Sequence, residues 1–224
     1  MLNISNDKIK ALVPMEDAIE CMKNAFSDFD SGGFIVPDRL STEIDGGDST
    51  VLVMPAYRNG GKYFTIKIVT VSQSSDKNNS GLISACVNIF DSSNGDMIAT
   101  LGGDTITSLR TGAATGLATM LLAKKDSKVG AIFGTGVQAK TQVEAMAKVR
   151  QMEKVYVYGR EIESMEKFSR HISENYGIEA ISGDLEDLNK VDIICTATPS
   201  THALFKNHHL KPGVHINAIG SFKP

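Results

Sequence analysis

Residues 129–139 read VGAIFGTGVQA, and the helix-like run VQAKTQVEAMAKV begins inside that stretch. Val129–Phe133 is short and apolar, so it predicts a buried strand. Gln138–Val149 has helical periodicity. Between them stands Gly134-Thr135-Gly136-Val137-Gln138-Ala139, a G-x-G-x-x-A turn. Such a turn carries weight only between a strand and a helix, which is its context here. Gly134 permits the tight reversal. Gly136 lets a pyrophosphate approach the backbone at the helix N-terminus, where N–H groups and the helix dipole favour negative charge. Ala139 keeps the helix close to the strand. The alternative is a glycine-rich turn in an α/β protein that binds no cofactor.

Toward the C-terminus, strands and helices alternate. Val155–Tyr158 is a predicted strand, Ile162–Tyr176 a helix, and Val191–Ala197 and His215–Ile219 further strands. This alternation predicts a parallel sheet with helices on both faces. The second strand ends in Tyr158-Gly159-Arg160. An acid at that place holds the adenosine ribose of NAD, whereas a guanidinium pairs with the 2′-phosphate of NADP. Arg160 therefore tilts the expectation toward NADP(H) over NAD(H), the alternative being a solvated arginine that opens a helix. Thr196, Ala197 and Thr198 follow the third strand, where ligands of open α/β sheets lie. An ordinary βα loop is the other reading.

Toward the N-terminus the character changes. Met15, Ala18, Ile19, Met22, Ala25, Phe26 and Phe29 recur at helical spacing and stop at Ser31-Gly32-Gly33. Ser49–Met54, Lys62–Val71, Gly81–Phe90 and Met97–Leu101 then read as strands. The last two flank Asp91–Gly95, a hairpin loop by composition. A long helix is expected over Asp104–Lys124. Its Gly112 and Gly116 share a face and imply close approach of either another helix or a cofactor.

The composition is that of a globular protein, with 42% hydrophobic and 22% charged residues, and supplies a core without metal or disulfide. A net charge of -3 offers no basic surface for nucleic acid. Cys21, Cys86 and Cys195 are scattered and odd in number, which fits a reducing compartment. The N-terminus lacks an apolar signal segment and no stretch reaches membrane-spanning length. The expected location is cytoplasmic, with no membrane partner.

Three cations stand in unusual company. Lys67 interrupts KYFTIKIVTV, where neither strand face is polar, so it needs a partner such as a substrate carboxylate. A snorkelling lysine on an edge strand is the alternative. Arg110 lies among Gly, Ala and Thr in the long helix, and Arg39 heads the β-rich region. Either can equally be a surface charge. The five histidines show no metal-ligand spacing, and no nucleophilic triad is visible.

Taken together, Pro37-Asp38-Arg39, Val51–Tyr57, Lys67–Val71, Thr107–Ala114, Gly134–Ala139 and His215–Gly220 resemble the ornithine cyclodeaminase/mu-crystallin family, in family order and over nearly the whole chain. The resemblance implies an α/β protein. Residues 1–110 would form an α+β domain for substrate binding and homodimer formation. Residues 111–224 would form a Rossmann-type NAD(P)-binding domain, incomplete at its C-terminus because the family continues past Pro224. Arg39, Lys67 and Arg110 match the residues that surround the substrate carboxylate, with Lys67 catalytic. Thr111, Gly134, Thr135, Gly136, Val137, Gln138, Arg160, Thr196, Ala197 and Thr198 are the expected cofactor contacts, and no metal is expected. The substrate would be a small amino acid or imino acid. Reduction of a cyclic ketimine such as pyrroline- or piperideine-2-carboxylate is the leading activity. The alternatives are cyclodeamination of ornithine to proline and ammonia, and non-catalytic ligand binding as in mu-crystallin. Phe222 stands where cyclodeaminases carry an aspartate, which weakens the lyase reading.

Overall fold

Strand β-propensity and a run of tight turns build the first part of the chain; strand–helix alternation builds the second. The computed structural model describes residues 1–44, 46, 48–72 and 83–220. Its strands are β1 (Leu2–Ile4), β2 (Phe34–Ile35), β3 (Leu40–Ile44), β4 (Ser49–Arg58), β5 (Tyr63–Ser72), β6 (Ile83–Asp91), β7 (Met97–Gly102), β8 (Val129–Phe133), β9 (Lys154–Tyr158), β10 (Glu179–Ser182), β11 (Ile193–Thr196) and β12 (His215–Ala218). Its α-helices are α1 (Asn6–Leu12), α2 (Met15–Asp30), α3 (Gly103–Leu122), α4 (Val137–Val149) and α5 (Ile162–Tyr176). Contacts divide the chain into two compact units, Met1–Pro14 with Asn24–Thr107 and Met15–Lys23 with Ser108–Pro224. The division read from the sequence, at 110/111, falls three residues later. It also groups Met15–Lys23 with the first part, because spacing along a helix does not say which core that helix joins.

In the first unit a mixed sheet runs β1-β7-β6-β5-β4-β2, with β3 also paired to β4. β4, β5, β6 and β7 are successive antiparallel neighbours, and β1 adds in parallel to β7. The hairpin expected at Asp91–Gly95 forms. Asp91 Oδ1 accepts hydrogen bonds from the Ser93 N–H at 2.8 Å and the Ser93 hydroxyl at 2.6 Å, and Gly95 takes φ 78°. The short strands β1, β2 and β3 and helix α1 carry too few residues to show a period and were not expected. β5 is an interior strand, so Lys67 is not an edge-strand lysine. The part of the strand read at 81–82 lies outside the described residues.

In the second unit five parallel strands run β10-β9-β8-β11-β12. A parallel sheet must bury both faces, and the alternation along β8 achieves it. Ile132 joins Val143, Met146, Phe168 and Ile172 on the face covered by α4 and α5. Ala131 and Phe133 join Tyr156, Tyr158, Leu188 and Ile194 on the other. β10 is an edge strand of four residues, too short and too exposed to mark itself in the sequence. The open question about Gly112 and Gly116 resolves as helix packing: a Cβ at Gly112 would meet the Thr141 carbonyl at 2.7 Å, and one at Gly116 would meet Ile19 at 2.6 Å. The two glycines lie beside a core of Met15, Ala18, Ile19, Ala113, Leu117 and Ala145.

Two polar devices close this unit. Helix C-termini leave carbonyls without intrahelical partners. The Arg150 guanidinium, just past α4, donates to the carbonyls of Thr119, Ala123 and Lys124 at 2.7, 2.8 and 2.9 Å. At the start of β8, Asp192 accepts from the backbone N–H groups of Lys128 and Val129 at 2.8 and 2.9 Å and from Lys211 Nζ at 2.5 Å. Burial raises the Asp192 pKa, but the hydrogen bonds from Lys211, Lys128 and Val129 outweigh it and hold the carboxyl below its usual range. A carboxyl that titrates lower when folded stabilises the fold above its unfolded pKa and loses that contribution as pH falls through the folded value. Asp192→Asn should therefore lower the urea midpoint at neutral pH, and the gap to the unmutated protein should close below about pH 4. A gap that stays constant across that range would assign the loss to shape instead of charge.

Candidate functional site

The cleft of interest opens where the second sheet changes direction. β8 stands at the centre; the chain proceeds to β9 and β10 on one side and to β11 and β12 on the other. Beyond the C-terminal ends of such strands the loops diverge and leave a crevice. Here it has a volume of about 620 Å³ and is lined by Phe133, Gly134, Thr135, Tyr158, Gly159, Arg160 and the segment Ala197–His202 with Leu204. Five residues expected from the sequence, Gly134, Thr135, Arg160, Ala197 and Thr198, thus line the same cleft.

The turn that carries β8 into α4 explains the glycines. Gly134 adopts φ 106°, its N–H donates to the Tyr158 carbonyl at 2.8 Å, and a Cβ there would collide with the Ala197 carbonyl. Gly136 is the N-cap of α4, with φ -84°, and a Cβ on it would meet nothing within 4 Å. The first glycine is demanded by the protein itself. The second is not; the space before it is open. No side chain caps the α4 N-terminus, so the N–H groups of its first turn are available to an anion. This combination fits a dinucleotide pyrophosphate. Val137 and Gln138 form that first turn, Thr196 is buried at the end of β11, and Thr111 is half-buried on α3; none of these lines the cleft in the absence of a ligand.

At the far end of β9, Arg160 is exposed on the cleft wall. The acid that follows it turns away: Glu161 caps α5 and its carboxylate accepts from the Ser164 hydroxyl at 3.2 Å. The floor is aromatic. Phe133 and Tyr158 stack with ring centroids 4.3 Å apart, and Phe205 packs on Phe133 at 5.3 Å. Burial pushes the Tyr158 phenol up, so it remains a neutral donor to the Asp184 carbonyl at 2.9 Å. Phe133, Leu204 and His202 were not singled out from sequence, because a strand-end aromatic looks like core and an isolated histidine in a loop carries no spacing signal. Cys195 lies under the sheet beside Met146; burial pushes its thiol up to about 12, which makes it an inert core residue.

The cations expected at the substrate occupy both units. In the first, Lys67 is half-buried at the middle of β5, opposite Met54 and Val87, and its Nζ donates to the Thr107 hydroxyl at 2.7 Å. Arg39 is exposed immediately before β3. In the second, Arg110 is exposed on α3. Phe222 lies outside the described residues. Among those described, no cluster of His, Cys, Asp or Glu is arranged to hold a metal, and no helix is long and apolar enough to cross a membrane.

Residues 3–224 match the family described as the ornithine cyclodeaminase/mu-crystallin family. The chain is 37% identical to the Delta(1)-pyrroline-2-carboxylate reductase of Bacillus thuringiensis subsp. konkukian (strain 97-27), over 100% of its own length and 69% of that protein. Its fold superposes on the Thermococcus litoralis Delta(1)-pyrroline-2-carboxylate reductase in complex with NADH and L-proline with a TM-score of 0.89, at 34% identity, covering 97% of this chain and 68% of that one. An archaeal alanine dehydrogenase dimer with bound NAD gives 0.90 at 29% identity, covering 98% and 67%.

The two glycines of the turn should separate on mutation. Gly136→Ala leaves the fold room for its methyl, so melting should fall only by the small cost of an alanine N-cap, while dinucleotide affinity falls at least about tenfold, or about 1.4 kcal/mol. Gly134→Ala should instead destabilise the fold itself by about 1–3 kcal/mol. Normal dinucleotide binding by Gly136→Ala, read by calorimetric titration, would show that no ligand approaches that backbone.

Proposed function

The chain belongs to the ornithine cyclodeaminase/mu-crystallin family, and from that premise we propose that it is a nicotinamide-dependent oxidoreductase that reduces a cyclic ketimine acid such as pyrroline-2-carboxylate. The observation that carries this reading is the 37% identity to a reductase of that substrate over the whole chain. When bound, the dihydronicotinamide supplies a hydride to the imine carbon, and a proton taken up at nitrogen completes the amine. The protein's own groups do the remainder. The Gly134–Gln138 turn and the α4 N-terminus hold the pyrophosphate. The family resemblance assigns Arg39, Lys67 and Arg110 to the substrate carboxylate, where an arginine offers paired hydrogen bonds and Lys67 a compact charge that can also hand a proton to the imine nitrogen. Fixing the carboxylate fixes the neighbouring carbon against the hydride donor, and the rate depends on that placement. Ornithine cyclodeamination fits less well, because Phe222 cannot act as the aspartate of the cyclodeaminases.

We also read the cofactor as NADP(H) in preference to NAD(H). Arg160 faces the cleft while the Glu161 carboxylate is engaged by Ser164, so the end of β9 presents a cation to the adenosine ribose. A homodimer is the matching assembly: the archaeal alanine dehydrogenase neighbour is a dimer, and Phe26, Phe29, Ile35, Val36 and Leu40 leave a run of exposed apolar side chains in the first unit.

The activity is tested by following nicotinamide absorbance with pyrroline-2-carboxylate, piperideine-2-carboxylate and pyruvate plus ammonia, and by looking for proline from ornithine. Consumption of reduced cofactor with a cyclic ketimine acid is expected. Proline and ammonia from ornithine without net redox change would replace the reductase with the lyase. Among variants, Arg110→Lys should mainly raise KM, whereas Lys67→Met should also slow single-turnover hydride transfer.

Cofactor choice has its own test. NADPH should bind more tightly than NADH, and Arg160→Ala should remove a preference on the order of 1.5–3 kcal/mol. Tighter binding of NADH to the unmutated protein would assign Arg160 to the solvent.

A further inference from the structure

Lys67 is held by a chain of hydrogen bonds whose direction is fixed. Its Nζ donates to Thr107 Oγ1 at 2.7 Å, and Thr107 Oγ1 donates to the Gly103 carbonyl at 2.7 Å, one turn back in α3. A threonine hydroxyl has a single proton. With that proton on Gly103, the oxygen turns lone pairs toward Lys67 and acts there as an acceptor. The two contacts therefore form one polarised line from amine through hydroxyl to carbonyl.

The far end of that line is anchored in the sheet. β7 passes into α3 with no intervening loop, since Gly102 ends the strand and Gly103 starts the helix. Gly103 is buried so tightly that a Cβ would stand 2.6 Å from the Ala85 backbone in β6. β6 pairs directly with β5, and Val87 in β6 is the register partner of Lys67. The first turn of α3 is held as well, by the Thr105 N–H donating to Asn6 Oδ1 at 3.0 Å. All of these residues lie in the first compact unit, so the distances belong to one body. The hydroxyl is thus mounted on the same sheet that carries the lysine, separated from it by one strand.

We infer that Thr107 is a positioning residue for Lys67: its hydroxyl sets where the amine at the end of a long, many-rotamer side chain is presented. An amine on four flexible torsions samples many positions, and a fixed acceptor selects one. The role deepens the reading of Lys67 as the substrate-facing cation and rests on it. Thr107 itself does not touch the reacting atoms.

Thr107→Val keeps the shape and removes the hydroxyl; Thr107→Ser keeps the hydroxyl. Thr107→Val should lower single-turnover hydride transfer about tenfold, with dinucleotide affinity and melting temperature close to the unmutated values, and Thr107→Ser should restore the rate to within about twofold. In a Lys67→Met background, Thr107→Val should have no further effect, because a residue that acts through the lysine has nothing left to position. A helix-capping role alone would persist in that background and would overturn the inference. So would a Thr107→Val enzyme at full rate beside a slow Lys67→Met enzyme, which leaves the lysine's own role standing. A Lys67→Met enzyme at full rate would instead overturn the role of the lysine, and that of Thr107 with it.

Discussion

The carbonyl of Ala197 lies so close to Gly134 that no side chain could stand between them, and the second unit is organised around that approach. It brings the end of β8 and the loop after β11 into contact. β8 and β11 are neighbours in the sheet although α4, β9, α5 and β10 come between them in sequence. Because the chain leaves β8 for one side of the sheet and returns on the other, the loops part above this contact and the cleft forms there. The close approach thus serves two ends. It seals the top of the buried sheet, and it leaves the Gly136 backbone and the α4 N-terminus facing outward.

Much of this was legible in the sequence because backbone requirements leave sharp signatures. G-x-G-x-x-A between a strand and a helix can be satisfied in few ways, and the predicted strand, turn and helix all formed within a residue or two of the expected bounds. The loop residues Ala197 and Thr198 were found by the same logic, from their place after a strand. The strands β1, β2, β3 and β10 were not found. Each has two to five residues, and β10 is almost wholly exposed, so neither period nor apolarity marks it. The aromatic floor of the cleft escaped for another reason: Phe133 and Tyr158 are core residues by every local measure, and only the sheet order brings their rings together. Likewise, nothing along a helix could tell that Gly112 and Gly116 face other helices instead of a ligand.

Lys67 illustrates what a sequence can and cannot say about chemistry. Its oddness was visible, as a cation in an apolar strand. Its partner was not, since Thr107 is 40 residues away and threonine in a helix carries no message of its own. Only the register of β5 with β6, and the direct passage of β7 into α3, bring the two together. The candidate substrate site is therefore less legible than the dinucleotide cleft, which is largely a property of backbone turns that glycine spacing announces.

Arg150 has a further consequence. A helix end is ordinarily the first part of a helix to open, because its last carbonyls are indifferent between protein and water. The final turn of α3 is held by a side chain that begins where α4 stops. Fraying of that turn breaks its hydrogen bonds to the guanidinium, and loosening of α4 at its end releases the same carbonyls. The hydrogen bonds couple the two helix ends, so opening of one weakens the other. A single cation at a junction thereby ties the opening of one helix end to that of the other.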